Sequence, residues 1–204
     1  MGVNQGSSMS NRSGRALLFD IDGTLADTDA LHVRAFNQIF GPRGHAFDRQ
    51  RASKELMGFT NASISERFLP GESPERQAAI MAQKEETFRK LASGNIQPLA
   101  GLMTLLARAD ATGVPMVAVT NAPRLNAEMM LSGLGIMDRF KALIIGDELP
   151  HGKPHPMPYL EGLRALGAYR TCRWRSRIPA PAFSPLPRPE LPRSESGRHL
   201  ATTI

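Results

Sequence analysis

The chain has 204 residues, of which 41% are hydrophobic and 22% charged, with a net charge of +6. That length allows one or two domains with a substantial core. The single cysteine, Cys172, excludes an internal disulfide, and no apolar run is long enough to cross a membrane as a helix. The basicity is unevenly spread. Seven arginines and only two glutamates follow Tyr169, so the body of the chain is nearly neutral and nucleic-acid binding is not expected of it.

Residues 1–14 are polar and rich in Ser, Asn and Gly. They read as a flexible N-terminus without the apolar core of a secretory signal, which makes a cytoplasmic location the expectation. Ala16 to Phe19 then forms a short apolar run that predicts a buried strand. It ends in Asp20 and Asp22, two residues apart and therefore on one side of an extended chain. Ligands bind at this carboxyl end of the strands in open α/β sheets. Two carboxylates so close repel each other, and a divalent cation relieves that repulsion. Such a pair suits phosphoryl transfer. One carboxylate attacks phosphorus, and the other protonates the leaving oxygen and then deprotonates water. Gly23 permits a tight turn beside a ligand. A calcium loop does not fit, because its glycine and glutamate would fall on Leu25 and Leu31.

Helices are predicted over 29–40, over about 48–57, over 62–68, and from Pro74 to about Ala92 behind Ser73 as N-cap. No strand is expected between 26 and 98. A stretch this long exceeds a simple crossover, so residues 28–97 read as a helical cap inserted after the first strand. Closing over the site, the cap would exclude water and select the substrate. Lys54 and Arg67 are candidate anchors within it, although each reads first as a solvated surface charge. A helix over 102–111 follows, then a second buried strand, 115–120, ending in Thr120 and Asn121. A helix over 123–132, a third strand from Phe140 to Gly146 and a helix over 158–166 complete the pattern. His151 and His155 read as loop histidines, since prolines break their spacing and no cysteine is nearby. Alternating strands and helices predict an α/β fold with a doubly wound parallel sheet, built from residues 15–27 and 98–169.

The string Phe19-Asp20-Ile21-Asp22-Gly23-Thr24-Leu25-Ala26-Asp27-Thr28 resembles the Asp-x-Asp-Gly-Thr signature of the haloacid dehalogenase superfamily. Within it, the likeness is to the phosphoglycolate phosphatase and β-phosphoglucomutase-like group. The resemblance covers 16–168 and implies a Rossmann-like core. It implies Asp20 as the nucleophile that becomes an aspartyl-phosphate and Asp22 as general acid/base. Mg²⁺ would be held by Asp20 and by Asp22, the latter through its backbone carbonyl. Thr120 matches the second motif, whose hydroxyl bonds the transferring phosphoryl group, with Asn121 beside it. Lys153, in Gly152-Lys153-Pro154, matches the third motif and would act as a fixed cation. Met157 stands where many relatives carry aspartate. Gly23, Thr24 and Asn121 are the expected phosphate-binding residues. Gly58 and Asn61 fall where related enzymes place a substrate-facing cap loop. The substrate implied is a small phosphorylated metabolite.

A fourth acidic motif should follow Ala168. Instead, residues 170–204 are rich in arginine and carry prolines at 179, 181, 185, 187, 189 and 192. Neither a central strand nor a helix tolerates this density, and the composition is that of a disordered tail. A shifted reading frame across codons 174–190 can encode Ala-Phe-Glu-Asp-Ser-Arg-x-Gly-Val-Leu, the missing motif. On that reading the chain lacks a metal ligand, and weak Mg²⁺ binding with impaired turnover is expected. The expected function is a Mg²⁺-dependent phosphate monoester hydrolase. A sugar phosphomutase of the same superfamily and a non-catalytic truncated product are the rivals.

Overall fold

The computed structural model describes residues 15–167. The expected N-terminal segment 1–14 and the tail 170–204, with its proposed change of frame, lie outside the described residues. Strands β1 (Leu17–Phe19), β2 (Met116–Thr120) and β3 (Phe140–Ile145) form a parallel sheet in the order β1-β2-β3. In register, Leu18 stands opposite Val117 and Thr120 opposite Ile145. All three strands therefore point the same way, and Asp20, Thr120 and the loop after Ile145 meet at one edge of the sheet.

Every residue of β2 is buried, as expected of a central parallel strand covered on both faces. Met116 and Ala118 join Phe19 in a core with Leu106 and Ala109 of α5 (Leu102–Ala111) and with Ala127, Met130 and Leu131 of α6 (Arg124–Gly133). On the opposite face, Leu18, Val117 and Val119 press against Gly162 of α7 (Met157–Ala165). The sheet is thus doubly wound. A Cβ at Gly162 would stand 3.0 Å from Leu18 Cδ2 and 3.2 Å from Val117 Cγ1. Gly162→Val is therefore expected to destabilise the fold by about 1–3 kcal/mol through overpacking. Urea denaturation checks this, and an unchanged midpoint would mean that the interface between α7 and the sheet is looser than these distances require.

Between β1 and α5 the chain is helical: α1 (Asp29–Phe40), α2 (Arg49–Glu55), α3 (Asn61–Phe68) and α4 (Pro74–Ala92). The side chains of Asp48, Thr60 and Ser73 cap the last three, each accepting from the backbone N–H three residues on. A second apolar cluster, centred on Phe36, Phe40, Phe47, Phe68 and Ile80, holds these helices together. Helices α1 and α4 serve both clusters, because Ala35 and Phe88 pack into the first. The chain leaves the sheet and returns to it at neighbouring points. Ala26 bridges to Pro98, and the Leu99 N–H donates to the Leu25 carbonyl at 3.0 Å.

Element ends differ slightly from the sequence-based expectations. Helix α2 stops at Glu55, before the turn in which Gly58 takes φ +82°. Helix α6 runs through Gly133, and the left-handed turn that ends its last winding belongs to Gly135, φ +65°. Helix α7 begins at Met157 rather than Pro158, with Pro158 inside its first turn, where a missing N–H costs nothing.

Candidate active site

Asp20 stands immediately after β1, and its Oδ1 accepts from the Ile21 N–H at 2.8 Å. Lys153 arrives from the loop after β3, and its Nζ lies 2.5 Å from Asp20 Oδ1. The same Nζ donates to the Val119 carbonyl at 3.3 Å. Thr120, buried at the end of β2, accepts the Ala122 N–H on its Oγ1 at 3.0 Å. Three distant stretches thus bring a carboxylate, a hydroxyl and an ammonium to one cavity, which Asp22 also lines.

The Asn121 side chain fixes the lysine loop. Its Oδ1 accepts from the Lys153 N–H at 2.8 Å, and its Nδ2 donates to the Lys153 carbonyl at 2.9 Å and to the Gly58 carbonyl at 3.4 Å. Gly146 and Gly152 make room for this amide, since a Cβ on either would lie within 3.0 Å of Asn121 Oδ1. Asn121, Gly58 and Asn61 all line the cavity. Gly23 and Thr24 do not; both are exposed in the turn below it, where Gly23 takes φ +68°. Lys54 and Arg67 are also absent from the cavity wall, and Arg67 instead lies 3.8 Å from Glu55. His151 and His155 stand with ring centroids 4.6 Å apart, and His155 Nδ1 accepts from the Met157 N–H.

His32, Lys84, Glu85 and Asn126, which line the cavity, escaped the sequence reading. Asp22 Oδ1 accepts from Thr28 Oγ1 at 2.7 Å and from His32 Nε2 at 3.1 Å. The His32 ring lies flat on Phe88, with centroids 3.9 Å apart, and its Nδ1 faces Lys84 Nζ at 3.3 Å. Lys84 pairs with Glu85 at 3.0 Å, and Glu85 Oε2 accepts from Asn126 Nδ2 at 2.6 Å. Asn126 in turn accepts from Arg89 at 2.8 Å. Lys84 and Glu85 are only 3% and 5% exposed. The signal was present in the sequence. Each of these residues occupies the apolar stripe of its helix: His32 with Ala35 and Phe36, Lys84 with Ile80, Met81 and Phe88, Asn126 with Ala127 and Met130.

Burial by itself would raise the pKa of Asp22, but the hydrogen bond and charge of His32, helped by Thr28 and Lys84, hold it below the usual carboxylate value. Glu85 behaves alike: burial raises it, and the Lys84 charge with hydrogen bonds from Asn61 and Lys84 lowers it further. On the far side, burial pushes the Tyr159 hydroxyl up to about 12, helped by the Asp20 charge. Both carboxyl shifts have one sign. At these two carboxyls the folded chain binds protons more weakly than the unfolded chain, whose Asp and Glu titrate near 3.9 and 4.3, while Asp147, raised by burial and by the Glu85 charge, opposes them. Their stabilisation is full above those values and disappears as pH falls through the lower, folded ones. The melting temperature should therefore be level above about pH 5 and fall at lower pH, and Asp22→Asn should flatten this acid limb. Melting curves from pH 3 to 7 check it; an equally steep limb in the variant would count against the role given to Asp22.

A magnesium ion takes six oxygens, commonly one or two carboxylates with water and substrate phosphate. The strand tip suits such an ion in kind, through the Asp20 carboxylate and the Asp22 backbone carbonyl. The donor set is short in number: among the described residues no group of three His, Cys, Asp or Glu side chains could hold a metal. Glu148 does not complete it. It lies on the turn 146–148 and is clamped by Arg124 through contacts of 2.8 and 2.6 Å.

A parallel doubly wound sheet with paired aspartates at one strand tip, a hydroxyl at the next and a lysine beyond the third defines a class of hydrolase. The chain belongs to the haloacid dehalogenase-like hydrolases, whose family model matches residues 17–171. Protein CbbY of Rhodobacter capsulatus is 31% identical over 167 residues, covering 75% of this chain and 72% of the relative. The phosphoglycolate phosphatase of Yersinia pseudotuberculosis is 30% identical over 159 residues, covering 76% of this chain and 68% of its own. Among solved structures, CbbY from Rhodobacter sphaeroides in complex with xylulose-1,5-bisphosphate superposes with a TM-score of 0.67 at 31% identity, over 75% of this chain and 72% of the other. Among the described residues, no helix is long and apolar enough to cross a membrane.

Proposed function

We propose that this chain is a phosphate monoester hydrolase working through Asp20, and that the helical block 28–97 is its cap. One observation carries the reading: Asp20 and Lys153 are 2.5 Å apart in a cavity that Thr120 and Asp22 also line. Lys153 and the Ile21 N–H both engage Oδ1 of Asp20, which leaves Oδ2 free to meet a bound phosphoryl group. Asp20 attacks phosphorus, the P–O bond to the leaving group breaks, and an aspartyl-phosphate forms. The leaving oxygen takes a proton from Asp22. Water then attacks the same phosphorus, gives its proton to Asp22, and the Asp20–phosphorus bond breaks to release inorganic phosphate.

Thr120 Oγ1 and the backbone N–H groups of the turn after β2 hold the phosphoryl oxygens, and Lys153 neutralises their charge. Asn121 acts through its amide by fixing the lysine loop, rather than by direct contact with phosphate. The resting Asp22 is ionised, which suits the water-activating half of the cycle. For the first half it must take up a proton, and His32 Nε2 at 3.1 Å is the adjacent group. Mg²⁺ would be held by Asp20 and the Asp22 carbonyl and, when bound, would supply further neutralisation of phosphoryl charge. The substrate is a small phosphorylated metabolite. With no acidic fourth motif readable after Ala168, turnover should be low. Hydrolysis of p-nitrophenyl phosphate in magnesium tests this: slow turnover that saturates with substrate is expected. A rate equal to that of the complete Rhodobacter capsulatus relative would refute the impairment, and no binding of phosphate would refute the site.

A further inference from the structure

The cavity wall beyond the phosphoryl position is charged in an unusual sense. The acids that line it are Asp20, Asp22, Asp29 and Glu85, and the cations are Lys84 and Lys153, with His32 between them. Lys153 is committed to Asp20, and Lys84 to Glu85 and His32. Setting aside Asp20, Asp22 and Lys153, the remaining wall carries Glu85 and Lys84 as a pair that neutralises itself, with Asp29 beside it. Beyond Thr120 and Asn121, its larger side chains are apolar, such as Phe36, Met57, Phe59 and Ile64, or the neutral amides Asn61 and Asn126. No cation of the described wall is therefore spare to receive a second anionic group.

We infer that Glu85 is a specificity-determining residue, admitting phosphate esters with an uncharged leaving group and turning away those that carry a second anion. The inference rests on the hydrolase reading of the same cavity. Glu85 is well placed for this work. It is buried, Asn126 and Asn61 hold it in one position, and its pairing with Lys84 at 3.0 Å uses up the cation that a second anionic group would need. An anionic leaving group would lie in a pocket with no free countercharge, and desolvating it there without a partner opposes its binding. A hydroxylated or apolar leaving group meets amides and hydrocarbon instead.

Equilibrium binding to the full chain in magnesium buffer tests this without requiring turnover. Three probes serve: inorganic phosphate, 2-hydroxyethyl phosphate and phosphoglycolate, the last two differing by a hydroxymethyl for a carboxylate. The neutral ester should bind about tenfold more tightly than phosphoglycolate, the scale of one poorly screened charge. Glu85→Gln should bring the ratio near unity, while Lys84→Met, which leaves Glu85 unpaired, should widen it. Taking the ratio cancels general damage to the site. Should the buried variants not fold, Asp29→Asn on a partly exposed side chain should narrow the ratio in the same direction. Equal binding of the two esters by the parent chain, or an unchanged ratio in Glu85→Gln, overturns the inference and leaves the phosphoryl site standing. Failure to bind inorganic phosphate overturns the hydrolase reading itself, and this inference with it.

Discussion

Asp20→Asn should cost on the order of 10³-fold or more in phosphate-ester turnover, the scale of losing an activated nucleophile. An amide cannot form the aspartyl-phosphate, and among the described residues no other carboxylate is paired with Lys153 to replace it. The same change should leave phosphate binding intact or strengthen it. The parent carboxylate is a negative charge facing an anionic ligand, and the variant removes that repulsion while Lys153 stays positioned by Asn121 and by the Val119 carbonyl. A steady-state assay alongside phosphate titration separates the two effects. Loss of turnover with loss of binding would point to damage of the lysine loop. Turnover retained in the variant would remove Asp20 from the chemistry.

Phe88→Ala is expected to be the most damaging single truncation between α4 and the core. Phe88 is fully buried, packs in the core beside Phe19 and Leu25, and carries the His32 ring flat against its face. Deleting it should cost about 3–5 kcal/mol, from lost transfer free energy and the cavity left behind. For a domain of this size that lowers the melting temperature by roughly 6–20 °C. The effect should not be confined to stability. Without its aromatic platform the His32 ring gains freedom, and the hydrogen bond to Asp22 weakens. Phe88→Leu separates the two roles, because it restores most of the buried volume without the flat surface. It should recover most of the melting temperature while leaving the acid limb of stability flatter than in the parent. A Leu variant that matches the parent in both respects would show that stacking contributes nothing.

These two residues also mark how far the chain could be read before its structure. Asp20, Asp22, Thr120 and Lys153 were legible because each sits at a strand end or in the loop after one, and β-rich apolar runs announce those ends. Strands that run parallel must place their carboxyl ends together, so linear order implies spatial convergence. The helical block was legible from its caps, Ser73 and Pro74 above all. The polar groups on α1, α4 and α6 were not assigned. A lone His32 or a Lys84-Glu85 pair on an apolar stripe indicates burial without naming a partner, and 52 residues separate His32 from the lysine it faces. Asn121 was read as a phosphate contact; that its side-chain amide bonds the Lys153 backbone is something no spacing along the chain could disclose.

What the sequence determined alone was therefore the fold pattern and the residues that it gathers: a paired-acid strand tip, a hydroxyl and an ammonium. These follow from local rules, the alternation of a strand and the capping of a helix. Only the tertiary structure decided how Asp22 is held and what the cavity wall presents to a leaving group. Both depend on side chains from three helices meeting in a poorly screened interior, where the balance between Glu85 and Lys84 is set by packing rather than by order along the chain.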